Sequence, residues 1–412
     1  MKQLLAKVIL EIMPDKAYEK EIMQKANHIV KTINKGLKGA KATIGGSAAK
    51  GTWLKNFDAD IFVQFSYANH FEKNDQLSTI LEAFLKKHFT ISKIHGSRDY
   101  FQIKDDHYTF EIIPILKITK ASQAKNITDV SPLHARYVNK HRILNNEIRI
   151  AKQFFKAAHV YGAESHIKGF SGYVCELLTI HYGSFQKLIK AIAQWKDPVV
   201  IDIENCFKGK DIFMELNKSK LQSPIVIIDP VQSERNAAAA VSSDAFNAIR
   251  KRAQAFLRNP LHAFFEVTAT TEEDLKKQYR GLHLYTFRVR PLERKADIAG
   301  AKLLKSLDYI ANILQRNDFQ VKAKGMVWGT DSSILYIVVK NIIVPKTKEY
   351  VGPFLSMSNH VAQFKKQHKK TYIKGKRVMA TITRKHTMID TLIHDIIKDK
   401  NLLLYLAKIS VS

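Results

Sequence analysis

The chain is poor in cysteine, in long apolar runs and in acid. Cys175 and Cys206 are the two cysteines among 412 residues, too few for a disulfide framework or a four-sulfur zinc site. No uninterrupted apolar stretch approaches the roughly 18 residues that a membrane-spanning helix requires. Lys2, Lys7 and Glu11 break up the segment before Met13, which therefore lacks the apolar core of a signal peptide. Internal repeats, low-complexity tracts and long Pro/Gly/Ser linkers are missing too, so the domains are expected to join directly. These features predict a reduced, soluble, cytoplasmic protein that does not enter a membrane. The shortage of acid has its own meaning. With 66 Lys+Arg against 38 Asp+Glu the net charge is +28, and such a surface attracts polyanions, nucleic acid before anionic membrane.

What is present is ordinary for a folded protein, with 45% hydrophobic and 25% charged residues. The length favours two to four domains. Helical spacing of Ile22, Ala26, Ile29 and Ile33 ends at Gly36 and Gly39, as expected for a helix facing a core. Short β-rich segments follow at 42–44, 59–65 and 108–116, with a helical stretch at 77–88. Helical patterns dominate 146–159 and 173–193. Farther on, a strand at 283–290 precedes a long helix carrying Leu303, Leu307, Ile310 and Leu314 on one face, then strands near 320–328 and 333–339. Residues 281–412 hold 24 Lys+Arg and 9 Asp+Glu. Within 361–386 nine basic residues occur with no acid, and Phe364 and Tyr372 are interleaved. That run reads as a solvated helix face or as a grip on a nucleic-acid backbone, and the whole-chain charge favours the grip.

The stretch Gly45-Gly46-Ser47-Ala48-Ala49-Lys50-Gly51, followed by Asp58-Ala59-Asp60 and an apolar strand, carries the chemistry. Paired glycines admit close backbone approach, and Ser47 is placed to cap a short helix whose amides favour phosphate. Asp58 and Asp60, two apart, leave one face of the strand, and Glu111 lies on another apolar strand. Two carboxylates on one strand and one on its neighbour suit a pair of Mg²⁺ ions about 3.5–4 Å apart, as nucleotidyl transfer requires. Taken singly, a Gly-Ser pair is a turn, Asp-x-Asp a solvated pair and Glu111 an exposed strand residue. Their order is what distinguishes them, and it resembles the nucleotidyltransferase superfamily.

Later segments narrow the resemblance. Ser131-Pro132-Leu133-His134, Ala151-Lys152-Gln153-Phe154, Tyr161-Gly162-Ala163-Glu164, Gly169-Phe170-Ser171-Gly172-Tyr173-Val174-Cys175-Glu176-Leu177, Asp229-Pro230 and Glu234-Arg235-Asn236 follow in sequence. Together they resemble the archaeal, class I, CCA-adding tRNA nucleotidyltransferases. That resemblance implies an α/β (α+β) multidomain protein. Residues 1–137 would be a polymerase-beta-like catalytic head, 138–258 a helical neck, and 259–412 an α/β tRNA-binding body with a basic tail. It implies an enzyme that adds C, C and A to the 3′ end of tRNA from CTP and ATP with Mg²⁺, releasing pyrophosphate. Asp58, Asp60 and Glu111 would form the catalytic, metal-holding triad. Ser47, Lys50, His134, Lys152 and Tyr161 would meet nucleotide phosphates, and Arg235 the base edge.

Each of these residues also has a plainer reading: Lys152 as a surface lysine, His134 as a helix-start residue, Tyr161 as packing, Arg235 as basic surface. The Gly169–Gly172 segment and Cys175 are expected to be packing elements. The family usually has Glu then Asp in the first pair, Asp on the second strand, and often Arg where Lys50 stands. The segment 95–107 is longer than usual and carries Arg98, Asp99, Asp105 and Asp106. In the basic run, Lys365, Lys366, Lys369 and Lys370 are expected to contact RNA. A poly(A) polymerase or oligoadenylate synthetase with the same head, or a non-catalytic RNA-binding protein, are the rival readings. Oligomeric state is left open, a homodimer being one option.

Overall fold

The computed structural model describes residues 1–55, 58–106, 108–292, 296–329 and 331–411. His107, the end of the segment singled out above, lies outside them. The chain forms two compact units, 1–268 and 269–412.

In the first unit, Asp15 caps the helix Lys16–Gly36 by accepting from the Ala17 and Tyr18 amides. Ile22, Ala26, Ile29 and Ile33 are all buried on one of its faces. They cover a five-stranded sheet of β1 (Ala40–Ile44), β2 (Ala59–Ser66), β3 (Ser92–Ile94), β4 (Tyr100–Asp105) and β5 (Tyr108–Lys117). The strand order is β1-β2-β5-β4-β3; β2 and β5 run parallel and the other pairs antiparallel. The apolar residues of β2 and β5 make these the central strands, buried on the face that meets the helix and only partly covered on the other, which carries Asp60 and Glu111.

β4 occupies part of the segment 95–107, which the sequence marks only as long, and β3 ends just before it. β3 is the short, mostly exposed edge strand, whereas β4 lies between it and β5 with Phe101 and Ile103 buried. The charges there are structural. Arg98 donates to the fully buried Asp129 at 2.5 Å and to the Pro114 carbonyl at 3.1 Å, fastening the edge to the end of β5.

A second, helical core lies in the same unit. The helices Asn145–Ala157, Gly172–Tyr182, Phe185–Gln194 and Ser243–Arg258 bury Phe154, Phe155, Leu177, Leu178, Ile189 and Phe246 together. The helical pattern over 173–193 is two helices, because Gly183 adopts φ +77° and stops the first. β6 (Val199–Asp202) and β7 (Ile225–Ile228) form a small parallel sheet. The helix Lys2–Ile12 places Leu5, Val8 and Ile12 in this helical core rather than beneath the five-stranded sheet.

The second unit contains the expected strand–helix–strand–strand module. β8 (His283–Pro291), the helix Ala296–Arg316, β9 (Val321–Val327) and β10 (Ser333–Val339) follow in order. Leu303, Leu307, Ile310 and Leu314 are buried against the sheet, whose order is β14-β8-β10-β9, with β14 spanning Leu406–Val411. A separate three-stranded sheet, ordered β11-β13-β12, comprises β11 (Thr347–Phe354), β12 (Thr371–Lys374) and β13 (Arg377–Thr383). The basic run is therefore not one helix face. It covers the end of the helix Ser358–Gln367 and then a hairpin, and only Phe364 is buried on that helix. Gly375, at φ +59°, makes the turn of that hairpin.

Phe154 packs against Phe185, Phe256 and Phe265 at ring separations of 5.5–5.7 Å. Phe154→Ala should lower the unfolding free energy by about 3–5 kcal/mol, the usual cost of emptying a packed aromatic site. Chemical denaturation checks this, and a loss under 1 kcal/mol would mean that the core closes over the gap.

Candidate active site

The site begins with strand pairing. In the parallel register of β2 and β5, Asp60 lies opposite Glu111, while Gln102 on β4 faces Glu111 from the other side and donates to its Oε1 at 2.9 Å. Gly45 donates its amide to the Asp60 carbonyl at 2.8 Å, tying the glycine loop to the strand. Gly46 has φ +55°, and a Cβ there would lie 1.6 Å from Asp60 Oδ2. Only glycine leaves room for that carboxylate. Asp58 sits at the exposed entry to β2.

Burial, then Glu111 and Asp58, push the Asp60 carboxyl up to about 7, with Lys50 opposing. Burial also raises Asp58, with Lys156 pulling the other way. Tyr100 on β4 is pushed up to about 12 by burial and then by Glu111, Asp60 and Asp58. One tyrosine thus feels all three acids.

Among the described residues no three His, Cys, Asp or Glu side chains form a ready-made cation cage. The donor set nevertheless fits a hard divalent cation: the groups are carboxylate oxygens, and Asp60 is held above its usual range first by burial and then by the negative charge of Glu111 and Asp58, which a cation would offset.

The helix Gly46–Lys50 contains Ser47, but Gly45 is its N-cap and makes no side-chain cap bond. Ser47 lies two residues past the cap position, inside the helix. Instead its carbonyl accepts from the Thr52 amide as the chain turns at Gly51. Lys50, at the end of that helix, donates to Glu176 Oε2 at 2.6 Å.

Lys152 is 2% exposed. Its ammonium donates to the Thr52 carbonyl at 3.2 Å, Thr52 Oγ1 at 2.9 Å and Glu176 Oε1 at 2.7 Å. It is neither the surface lysine of its plainer reading nor an open phosphate contact, since all three protons go to buried acceptors. Burial alone would raise Glu176, but Lys152 and Lys50 outweigh it and hold the carboxyl down to about 2. Tyr161 lies next to Lys152: a Cβ at Gly172 would be 2.7 Å from the Tyr161 hydroxyl and 3.7 Å from Lys152 Cε. Lys156, one turn beyond Lys152, rests over the Tyr161 ring at 5.3 Å.

A second buried acid gathers His134 and Arg235. Asp229, fully buried, meets His134 Nε2 at 3.0 Å and accepts from Arg235 at 2.6 Å and from the Tyr173 hydroxyl at 3.0 Å. His134 stacks on Tyr173 with ring centroids 4.1 Å apart, and Lys50 lies 5.9 Å above the same tyrosine. The candidates from the carboxylates to Arg235 are therefore linked through three residues outside the expected set, Glu176, Tyr173 and Asp229. A lone acid in an apolar run is the signal that marks two of them: Cys175-Glu176-Leu177-Leu178 and Ile227-Ile228-Asp229-Pro230. Lys365, Lys366, Lys369 and Lys370 are exposed in the second unit.

The Asp60 shift has a pH consequence. Its folded pKa exceeds the ordinary carboxylate value, so the folded state holds the proton more tightly. The stability this confers is lost as pH rises from about 4 through 7. Without divalent cation, Asp60→Asn should be more stable than the native sequence at pH 8, and the gap should shrink toward pH 4. Denaturant titrations at several pH values read the gap, and a constant one would mean that Asp60 titrates normally.

Three family models match the chain in order. They are a nucleotidyltransferase domain over 23–134, the second domain of tRNA nucleotidyltransferase over 146–266, and the C-terminal domain of the CCA-adding enzyme over 280–403. The CCA-adding enzyme of Nanoarchaeum equitans is 34% identical over 378 residues, covering 91% of this chain and 92% of that protein. The CCA-adding enzyme of Methanocaldococcus jannaschii is 28% identical, covering 96% and 91%. Among solved structures, the Cid1 poly(U) polymerase aligns with a TM-score of 0.52 at 14% identity, over 65% of this chain and 98% of its own. At that identity the likeness concerns the fold alone. Colinear similarity over nine-tenths of both chains, on a site of this composition, makes the protein a member of the CCA-adding enzyme family of nucleotidyltransferases.

Proposed function

We propose that this protein adds C, C and A, without a nucleic-acid template, to the 3′ end of tRNA, taking the nucleotides from CTP and ATP. The observation that carries this reading is the Asp60–Glu111 pairing beside Lys50, in a chain colinear with CCA-adding enzymes. The ribose 3′-hydroxyl of the RNA attacks the α-phosphate, the bond from that phosphorus to the bridging oxygen breaks, and pyrophosphate leaves. The hydroxyl proton goes to solvent.

In this reading 1–137 is the catalytic head, 138–258 the neck and 259–412 the tRNA-binding body. Asp58, Asp60 and Glu111 would hold divalent cations, Mg²⁺ in the cell, whose charge would make the hydroxyl more acidic and stabilise the leaving oxygens. Ser47 and Lys50 meet the phosphates, Lys50 as a point charge that suits a tetrahedral anion. Lys152 adds positive potential from beneath. Tyr161 donates a hydrogen bond, and His134, fixed between Asp229 and Tyr173, presents its other ring edge. Arg235 offers its planar fork to acceptors on the base. Its place of work in this reading is the cytoplasm, where its tRNA substrate is; no helix among the described residues is long and apolar enough to cross a membrane.

A tRNA ending before CCA, supplied with one labelled nucleotide at a time, tests the reaction. CTP alone should extend it by two residues, ATP alone by none, and the two together should complete CCA. Repeated addition of A from ATP alone would favour the poly(A) polymerase reading. Activity retained by the Asp58→Ala, Asp60→Ala double variant would exclude these acids from the chemistry. Replacing Lys365, Lys366, Lys369 and Lys370 with alanine should weaken tRNA binding and flatten its logarithmic salt dependence, by up to about 0.7–0.9 per lost phosphate contact. An unchanged slope, read by filter binding across a salt series, would place the RNA grip elsewhere.

A further inference from the structure

Glu176 stands out among the buried groups that the reaction does not use directly. It is fully buried in the helix Gly172–Tyr182, among Val174, Cys175, Leu177, Leu178 and Ile180. An ionised carboxylate in such surroundings is strongly unfavourable unless it is paired and hydrogen-bonded. Its partners come from two places in the chain. Lys50 and Thr52 belong to the glycine-loop segment and Lys152 to the helix Asn145–Ala157. Oε1 accepts from Thr52 Oγ1 at 2.7 Å and Lys152 at 2.7 Å, and Oε2 accepts from Lys50 at 2.6 Å.

The two lysines differ in what they have left. Lys152 has given every proton to acceptors beneath the surface. Lys50 keeps 12% of its side chain exposed and makes one such contact, and it acts electrostatically on Asp60. One carboxylate against two ammonium groups leaves a surplus positive charge, and its open end is Lys50, next to the acids.

From this geometry we propose that Glu176 is a positioning residue for the nucleotide triphosphate: with Lys152 and Thr52 as its base, it holds the Lys50 ammonium facing the phosphates. The proposal rests on the reading of Lys50 as a phosphate contact given above. Glu176 itself touches neither nucleotide nor RNA. The arrangement replaces the stiffness of an arginine fork: a flexible lysine stem becomes directional because one of its protons is anchored. It also couples the loop to both helices, so displacement of Lys50 is opposed by a network spanning three segments.

Glu176→Gln keeps the volume and one acceptor while removing the charge. The expected result is a KM about tenfold higher for both CTP and ATP, as loss of a charge-assisted hydrogen bond implies, with tRNA affinity unchanged and kcat less affected. Lys50→Met should raise the two KM values similarly. The double variant should be little worse than either single one, because both remove one interaction. Additive effects, or an equal loss of tRNA affinity, would overturn the proposal. If Lys50→Met raises KM and Glu176→Gln does not, Glu176 has no such part and the site reading stands; if neither raises it, both fall. Should Glu176→Gln fail to fold, Lys152→Met with Glu176→Leu removes both charges of the buried pair and fills the space with apolar groups. That variant should show the same rise in nucleotide KM, and a native KM would overturn the proposal.

Discussion

The parallel pairing of β2 with β5 sets Asp60 against Glu111, and the other parts of the site answer to that juxtaposition. Two like charges on adjacent strands repel, and burial of Asp60 makes the repulsion larger. The apolar residues around them, Ile61, Val63, Phe65, Phe110 and Ile112, are fully buried and keep the register despite it. Gly46 yields space for the Asp60 oxygen, Gln102 fixes Glu111, and Lys50 supplies the nearby positive charge. Strand packing thus holds in place an arrangement of like charges that is unfavourable by itself, and that a cation and a triphosphate would relieve in the function proposed above.

The cationic side is organised on a second principle. Two wholly buried carboxylates, Glu176 and Asp229, each gather groups from other segments, Lys50, Thr52 and Lys152 for the first and His134 and Tyr173 for the second, which Arg235 joins from six residues along the chain. Lys50 over the Tyr173 ring joins the two sets. Buried ion pairs of this kind add little net stability, but they fix side chains that would otherwise wander. Helices packed around Phe154 and Phe155 provide the rigid background.

The second unit works by different physics. Its strand–helix–strand–strand core is apolar and compact, whereas the basic run spreads over a helix end and a hairpin with little beneath it but Phe364, Val378 and Ala380. Exposed lysines on such a surface bind through released counterions rather than through shape alone, which suits a long polyanion.

Periodicity and residue order determined a good deal by themselves. The helix carrying Ile22 to Ile33, the strands bearing Asp60 and Glu111, and the module from His283 to Val339 follow from local pattern, because an apolar face must be buried whatever lies opposite it. The family could be read from the order of short motifs for the same reason: spacing along the chain is preserved in the sequence. Three-dimensional packing decided what spacing does not encode. It paired β3 and β4 at one side of the sheet, moved the cap from Ser47 to Gly45, and turned Lys152 inward. It gave Glu176 and Asp229 their partners, which lie up to 126 residues away in the chain. A buried charge is defined by what surrounds it, and those surroundings exist only once distant segments have met.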